Sequence, residues 1–186
     1  MAEKLIIVMA NGGVRVLPTY INKIYDRDGK VVESNDPADF PGGPQKGQKL
    51  IGQSRNRVIS PETAYLVTNL LESVVQHGTG WRAKALNRPV AGKTGTTNDQ
   101  KDAWFCGFNR SLVAVTWVGF DTATPLGRGE VGGKAALPAW MAYMKEALQE
   151  VAERPLKMPP EMTMVRIDPV TGKRAHDSQK DAIFEV

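Results

Sequence analysis

From residue 91 the chain runs Ala91-Gly92-Lys93-Thr94-Gly95-Thr96-Thr97-Asn98, and shortly after comes Lys101-Asp102-Ala103-Trp104-Phe105. Gly-Lys-Thr invites a phosphate-binding loop. Such a loop needs glycine five positions before Gly92, where Asn87 stands, and it must lead into a helix whose first N–H groups face the phosphate. Here Gly95, Thr96, Thr97 and Asn98 lead instead to a second extended, apolar segment from Ala103 to Phe108. A nucleotide loop is excluded on composition and on context. What remains is a strand edge suited to an anion. Side chains alternate along a strand, so Thr94 and Thr96 turn hydroxyls to one face while Lys93 supplies an ammonium. Gly95 has no side chain, which lets another backbone approach and pair with the edge. Together these make a carboxylate pocket beside a groove for an added strand. The plainer alternative is an edge strand with a solvated lysine and a glycine bulge.

Working outward, Pro89 to Thr96 and Ala103 to Phe108 are followed by a third strand, Leu112 to Phe120, so apolar that burial on both faces is expected. Short links between sequential strands predict an antiparallel meander. Before it, Ser60-Pro61-Glu62 opens a helix with a side-chain cap, a proline in the first turn and an acid at the positive end of the dipole. Leu66, Val67, Leu70, Leu71, Val74 and Val75 recur at helical spacing and predict its buried face, and Gly78-Thr79-Gly80 ends it. After the meander a second helix starts near Leu137-Pro138, with Trp140, Met141, Met144 and Leu148 as core residues. Nearer the start, residues 3–10 read as the last turns of a helix that stops at Asn11-Gly12-Gly13. Val14 to Tyr25 and Lys30 to Glu33 flank the turn Asp26-Arg27-Asp28-Gly29 as a hairpin, and Ser34 to Arg57 reads as a long loop. Residues 1–152 are thus expected to form one unit. Residues 153–186 are expected to be a Pro-containing linker, a small hairpin and a charged tail.

Composition narrows the function classes. The chain has 186 residues, 41% hydrophobic and 24% charged, with a net charge of +4, which suits a soluble domain with a real core. No concentrated basic stripe is present, so nucleic acid is not an expected partner. A single cysteine, Cys106, excludes an internal disulfide and a multi-cysteine zinc site. Its alternation with Trp104 and Phe108 reads as a small buried thiol. His77 and His176 lack metal-ligand spacing, and both read as solvent-exposed. The early apolar run is too short to span a bilayer, so no membrane contact is expected of this segment.

The stretches Thr79-Gly80-Trp81-Arg82-Ala83, Ala91 through Asn98, Lys101 through Phe105, Val118-Gly119-Phe120-Asp121, Gly132-Gly133-Lys134 and Pro138-Ala139-Trp140 together resemble the bifunctional (class A) penicillin-binding proteins. Asn11-Gly12-Gly13 with Val14-Arg15-Val16 does too, so the resemblance covers nearly the whole chain. It implies the mixed α/β (α+β) fold of serine β-lactamases and D,D-transpeptidases, an antiparallel sheet flanked by helices, present as its carboxyl-terminal half. Sites of this family combine Ser-x-x-Lys, Ser-x-Asn and Lys-Thr-Gly. Only the last is found here. No serine of this chain has lysine three positions on, and Ser34-Asn35-Asp36 has the wrong order. The other two motifs are expected upstream, in a missing amino-terminal half that would be this chain's partner.

The resemblance implies that Lys93, Thr94, Gly95 and Thr96 bind the terminal carboxylate of peptidoglycan stem peptides, or its equivalent in β-lactams. The Thr96 backbone N–H would be one oxyanion-hole donor. Neither a cofactor nor a metal is implied. The expected setting is the periplasmic face of the inner membrane, with the anchor outside this chain. Two rivals stand beside transpeptidation: a D,D-carboxypeptidase or β-lactamase of the same fold, and a non-catalytic binding module. Trp81 and Arg82 either line the approach to the groove or fold back on the core. Asp99 and Asp102 read as turn-forming acids before a strand rather than as a paired-acid site.

Overall fold

A computed structural model describes residues 2–16, 20–34, 57–154 and 156–185. The chain opens with α1 (Ala2–Ala10) and the hairpin β1 (Lys23–Tyr25) and β2 (Val31–Ser34), then α2 (Pro61–Gln76). After a 3-10 helix at Trp81–Leu86 come three strands, β3 (Ala91–Thr96), β4 (Asp102–Phe108) and β5 (Val113–Gly119). The helices α3 (Gly132–Ala135) and α4 (Leu137–Ala147) follow, then a last hairpin of β6 (Val165–Ile167) and β7 (Ile183–Glu185).

The three central strands form the expected antiparallel meander in the order β3-β4-β5. The link between β4 and β5 is a turn built by Asn109, whose side-chain oxygen accepts the N–H groups of Ser111 (2.9 Å) and Leu112 (2.8 Å). Ala103, Phe105 and Gly107 of β4 turn to α4, where Phe105 meets Trp140 edge-on with centroids 4.8 Å apart. The Trp140 indole N–H donates to Ala114 O at 3.0 Å, which satisfies the one polar group of this buried ring. Cys106 and Phe108 turn the other way, toward Ile6 of α1. The core therefore lies on both sides of β4. Among the described residues no helix is long and apolar enough to cross a membrane.

Local chemistry explains the start of α2. Ser60 Oγ accepts the Thr63 N–H at 3.1 Å, Pro61 occupies the first position and Glu62 the first turn. Its buried face keeps Val75 of the expected residues, with Val67, Leu71 and Val74 half-buried, and differs in the rest. Ala64, Thr68 and Val75 are buried, whereas Leu66 and Leu70 are 39% and 65% exposed. The stripe through 64, 68 and 75 carries small residues where the helix closes on β3, and Thr68 satisfies its hydroxyl on Ala64 O at 2.7 Å. The leucines sit on a neighbouring stripe, turned away from the sheet.

Two further expectations need correction. The apolar strand is β5, Val113–Gly119, and it is half-buried rather than buried on both faces, because it lies at the edge of the three-stranded sheet. In the first hairpin the upstream strand is only Lys23–Tyr25, while Val14 makes an isolated bridge to Arg57. Most of the expected loop, residues 35–56, lies outside the described residues. Arg88 Nη1 donates to Val151 O at 2.7 Å, and Leu156, Lys157 and Pro159 line a cleft of about 150 Å³ with Met9 of α1 and Tyr65 of α2.

Candidate functional site

β3 pairs with β4 on one side only, so its other edge is open among the described residues. The Thr97 N–H donates to Asp102 O at 3.0 Å, so Thr97 turns its main chain toward β4. Alternation along the ladder then sends the main-chain groups of Thr94 and Thr96 to the open edge. Lys93 follows that edge, with Nζ donating to Thr94 O at 2.7 Å.

The hydroxyls of Thr94 and Thr96 face one cavity of about 440 Å³. Each is held. Thr94 Oγ1 lies 2.8 Å from Thr79 Oγ1, and Thr96 Oγ1 accepts the Gly132 N–H at 3.0 Å. A hydroxyl that accepts one N–H keeps its own proton for another acceptor, so Thr96 can donate into the cavity. Gly95 has a tight neighbour on the other face, since a Cβ there would stand 3.2 Å from Trp104 Cβ. Its lack of a side chain is therefore explained by packing across the ladder as well as by access to the edge.

The far wall is brought in by close backbone approach. A Cβ on Gly132 would lie 2.3 Å from Trp104 O and 2.5 Å from Gly95 O, so only glycine lets this segment sit on the strand pair. Gln100 anchors the preceding loop, its main-chain O accepting from Leu126 N–H (2.9 Å) and its side-chain Oε1 from Gly129 N–H (2.7 Å). Asp99 and Gln100 adopt φ of 59° and 55° to make this clamp. Lys134 pairs with Glu130 one turn back. At the mouth Trp81 is 57% exposed, and Arg82 stacks over its ring at 5.8 Å while Nη1 donates to Gly133 O at 3.5 Å.

Thus the six-residue strand β3 carries Lys93, Thr94, Gly95 and Thr96 in succession and places both threonine hydroxyls in one cavity. Lys93 stands at the edge and is not part of that cavity's lining. Of the two alternatives for Trp81 and Arg82, the structure has the approach to the groove. Asp102 is structural, bonding the Thr97 hydroxyl (3.2 Å) and the Trp117 indole N–H (2.9 Å), while Asp99 lies 3.9 Å from Lys101 in solvent. Cys106 is buried, and the His77 and His176 side chains are exposed. Among the described residues no group of His, Cys, Asp and Glu is arranged to hold a metal. Sequence reasoning did not single out Thr79, Val131 or Lys134 as cavity walls. The glycine pair Gly132-Gly133, which opens α3, was the available signal.

The profile of the family described as "Penicillin binding protein transpeptidase domain" matches residues 4–134. The chain is 39% identical to penicillin-binding protein 1A of Pseudomonas aeruginosa, over 96% of this chain and 26% of that protein. To penicillin-binding protein 1A of Neisseria gonorrhoeae it is 42% identical, over 82% of this chain and 18% of that one. This chain thus spans about a quarter or less of the length of these relatives. Among solved structures, penicillin-binding protein 1A of Haemophilus influenzae superimposes with a TM-score of 0.81 at 36% identity, covering 98% of this chain and 31% of that one. The antiparallel sheet, the helices that flank it and these matches agree: the chain belongs to the penicillin-binding protein transpeptidase family and resembles part of the transpeptidase domain of the 1A type.

Proposed function

We propose that this chain supplies the substrate-binding wall of a D,D-transpeptidase in peptidoglycan synthesis. In this reading residues 1–152 belong to the transpeptidase domain, and 153–186 form a connector with a small hairpin. The observation that carries it is the open edge of β3, where Lys93 and the Thr94 and Thr96 hydroxyls gather beside one cavity. A D-Ala-D-Ala stem extends along that edge, and its terminal carboxylate takes the Lys93 ammonium and the threonine hydroxyls. The Thr96 N–H, on the same edge, serves as one oxyanion donor.

The serine nucleophile comes from outside these residues, since none of the chain's serines has lysine three positions on. That serine attacks the penultimate D-alanine carbonyl, the last D-alanine leaves, and an amine of a neighbouring stem takes the acyl group. β-Lactams present an equivalent carboxylate and stop at the acyl-enzyme. The reaction runs at the periplasmic face of the inner membrane. A D,D-carboxypeptidase or β-lactamase would differ only in passing the acyl group to water.

The test replaces the matching segment of the Pseudomonas aeruginosa relative with this chain and follows labelling by a fluorescent penicillin. The chimera should label on the relative's own serine, and this chain alone should not label. In the chimera, Lys93→Ala should slow acylation about ten- to a hundredfold, as expected for loss of a charge-assisted contact. A folded chimera whose rate ignores Lys93→Ala would leave Lys93 as a solvated edge residue and sink the proposal.

A further inference from the structure

Two neighbouring residues in the turn after β3 hold a backbone conformation that side chains rarely adopt. Asp99 and Gln100 have φ of 59° and 55°. The left-handed region is costly away from glycine, and Asp and Asn tolerate it better than Gln does. Such outliers persist only where their surroundings fix them, and they gather where a geometry is used.

Here the geometry turns Gln100 toward the loop after β5. Its main-chain O accepts from Leu126 N–H at 2.9 Å, and its Oε1 accepts from Gly129 N–H at 2.7 Å. Among the described residues, Gln100 thus makes both main-chain and side-chain ties between residues 121–131 and the β3–β4 turn. From Gly129 the connection runs on. Val131 N–H donates to Gly129 O at 3.0 Å, and Gly132 N–H, next in the chain, donates to Thr96 Oγ1 at 3.0 Å. One path of bonds therefore joins the Gln100 side chain to the Thr96 hydroxyl. With a lone pair of that hydroxyl taken by Gly132, its proton is left for an acceptor in the cavity. A Cβ on Gly132 would collide with Trp104 O and Gly95 O. The segment already touches the sheet, so it can move only away from Thr96.

We propose that Gln100 is a positioning residue for acylation, which acts through Gly129 and Gly132 to hold the Thr96 hydroxyl as a donor to the substrate carboxylate. This rests on the transpeptidase reading of the same cavity. Without the Oε1 bond the segment from Gly129 to Gly132 moves off β3, and Thr96 Oγ1 loses the N–H that orients it. The hydroxyl then turns its proton elsewhere, and the carboxylate is held less well. Leu126 still packs against the core, so the loop stays folded and stability changes little.

The test uses the chimera with the Pseudomonas aeruginosa relative, with penicillin labelling as the rate and thermal unfolding as the control. Gln100→Asn keeps an amide and tolerates the left-handed backbone, but its side chain is one methylene too short to reach Gly129. Gln100→Gly keeps the backbone and removes the side chain. Each should slow acylation about fivefold, as expected for one neutral hydrogen bond, while the thermal midpoint moves by less than about 2 °C. A double-mutant cycle with Thr96→Val then separates positioning from support. With the hydroxyl gone, Gln100→Gly should slow acylation no further. A fivefold loss that persists beside Thr96→Val would overturn the proposal, and so would loss of the folded state in both Gln100 variants, since the clamp would then be structural only. Gln100 variants that label at the parent rate, in a chimera still slowed by Lys93→Ala, would overturn it and leave the transpeptidase reading standing. A folded chimera that fails to label, or ignores Lys93→Ala, would overturn both.

Discussion

Strands β4 and β5 are neighbours of equal length, seven residues each, and both are rich in apolar side chains. Their fates differ. In β4 only Asp102 and Trp104 fall short of full burial, because α4 covers one face, α1 the other, and strands flank both edges. In β5 no residue is fully buried, and Trp117 is 44% exposed. Position in the sheet, not composition, sets burial. A strand at an edge loses one neighbour on each face, and its side chains stay partly open however apolar they are.

The strongest test of this contrast is Phe105→Ala. The ring is wholly buried against Trp140, so denaturant unfolding should show a loss of about 3–5 kcal/mol. Gly107→Ala tests the same strand from the opposite direction. A Cβ there would stand 2.6 Å from Trp140 Cζ2 and 2.9 Å from Phe105 Cε1. Overpacking should cost about 1–3 kcal/mol, read in the same unfolding experiment.

On β5, Trp117→Ala removes a ring tilted against Trp104 and the bond to Asp102. Half-exposed as it is, it should cost only about 1 kcal/mol. A loss as large as that of Phe105→Ala would break the comparison.

The smallest effect concerns Glu72, which lines a narrow cleft with Phe108 at the end of β4. Burial raises its carboxyl above the ordinary value of 4.5. The native state then binds this proton more readily than the unfolded chain, so stability falls as pH rises from the unfolded value through the raised native one. Glu72→Gln removes that burden. It should raise the thermal midpoint by about 1–2 °C at pH 7, and the gain should vanish near pH 4. A gain that is unchanged at pH 4 would show that charge burial is not its cause.

The parts of this molecule legible from sequence are those fixed by local chemistry. Ser60 and Pro61 mark the start of α2 because a cap is settled within four residues. Lys93, Thr94 and Thr96 could be read as an anion-binding edge because alternation is a property of one strand. The buried stripe of α2 was another matter. Helical period offers adjacent stripes, and choosing Ala64 and Thr68 over Leu66 and Leu70 requires knowing how closely the partner sheet approaches. Likewise an apolar run such as Val113 to Val118 does not reveal whether a further strand lies beyond it. The cavity walls are assembled from distant parts of the chain, with Trp81 before β3 and Gly132 after β5. Only their glycines and the exposed indole hinted at it.

The place of Leu156, Lys157 and Pro159 in one cleft with residues of α1 and α2 also limits how far the last hairpin can travel. Between Pro159 and Val165 an extended chain spans at most about 20 Å. The hairpin of β6 and β7 is therefore on a short leash. Confined to so small a volume, it meets the helices at an effective concentration of about millimolar or above. Even a contact too weak to survive between separate molecules would be occupied here much of the time.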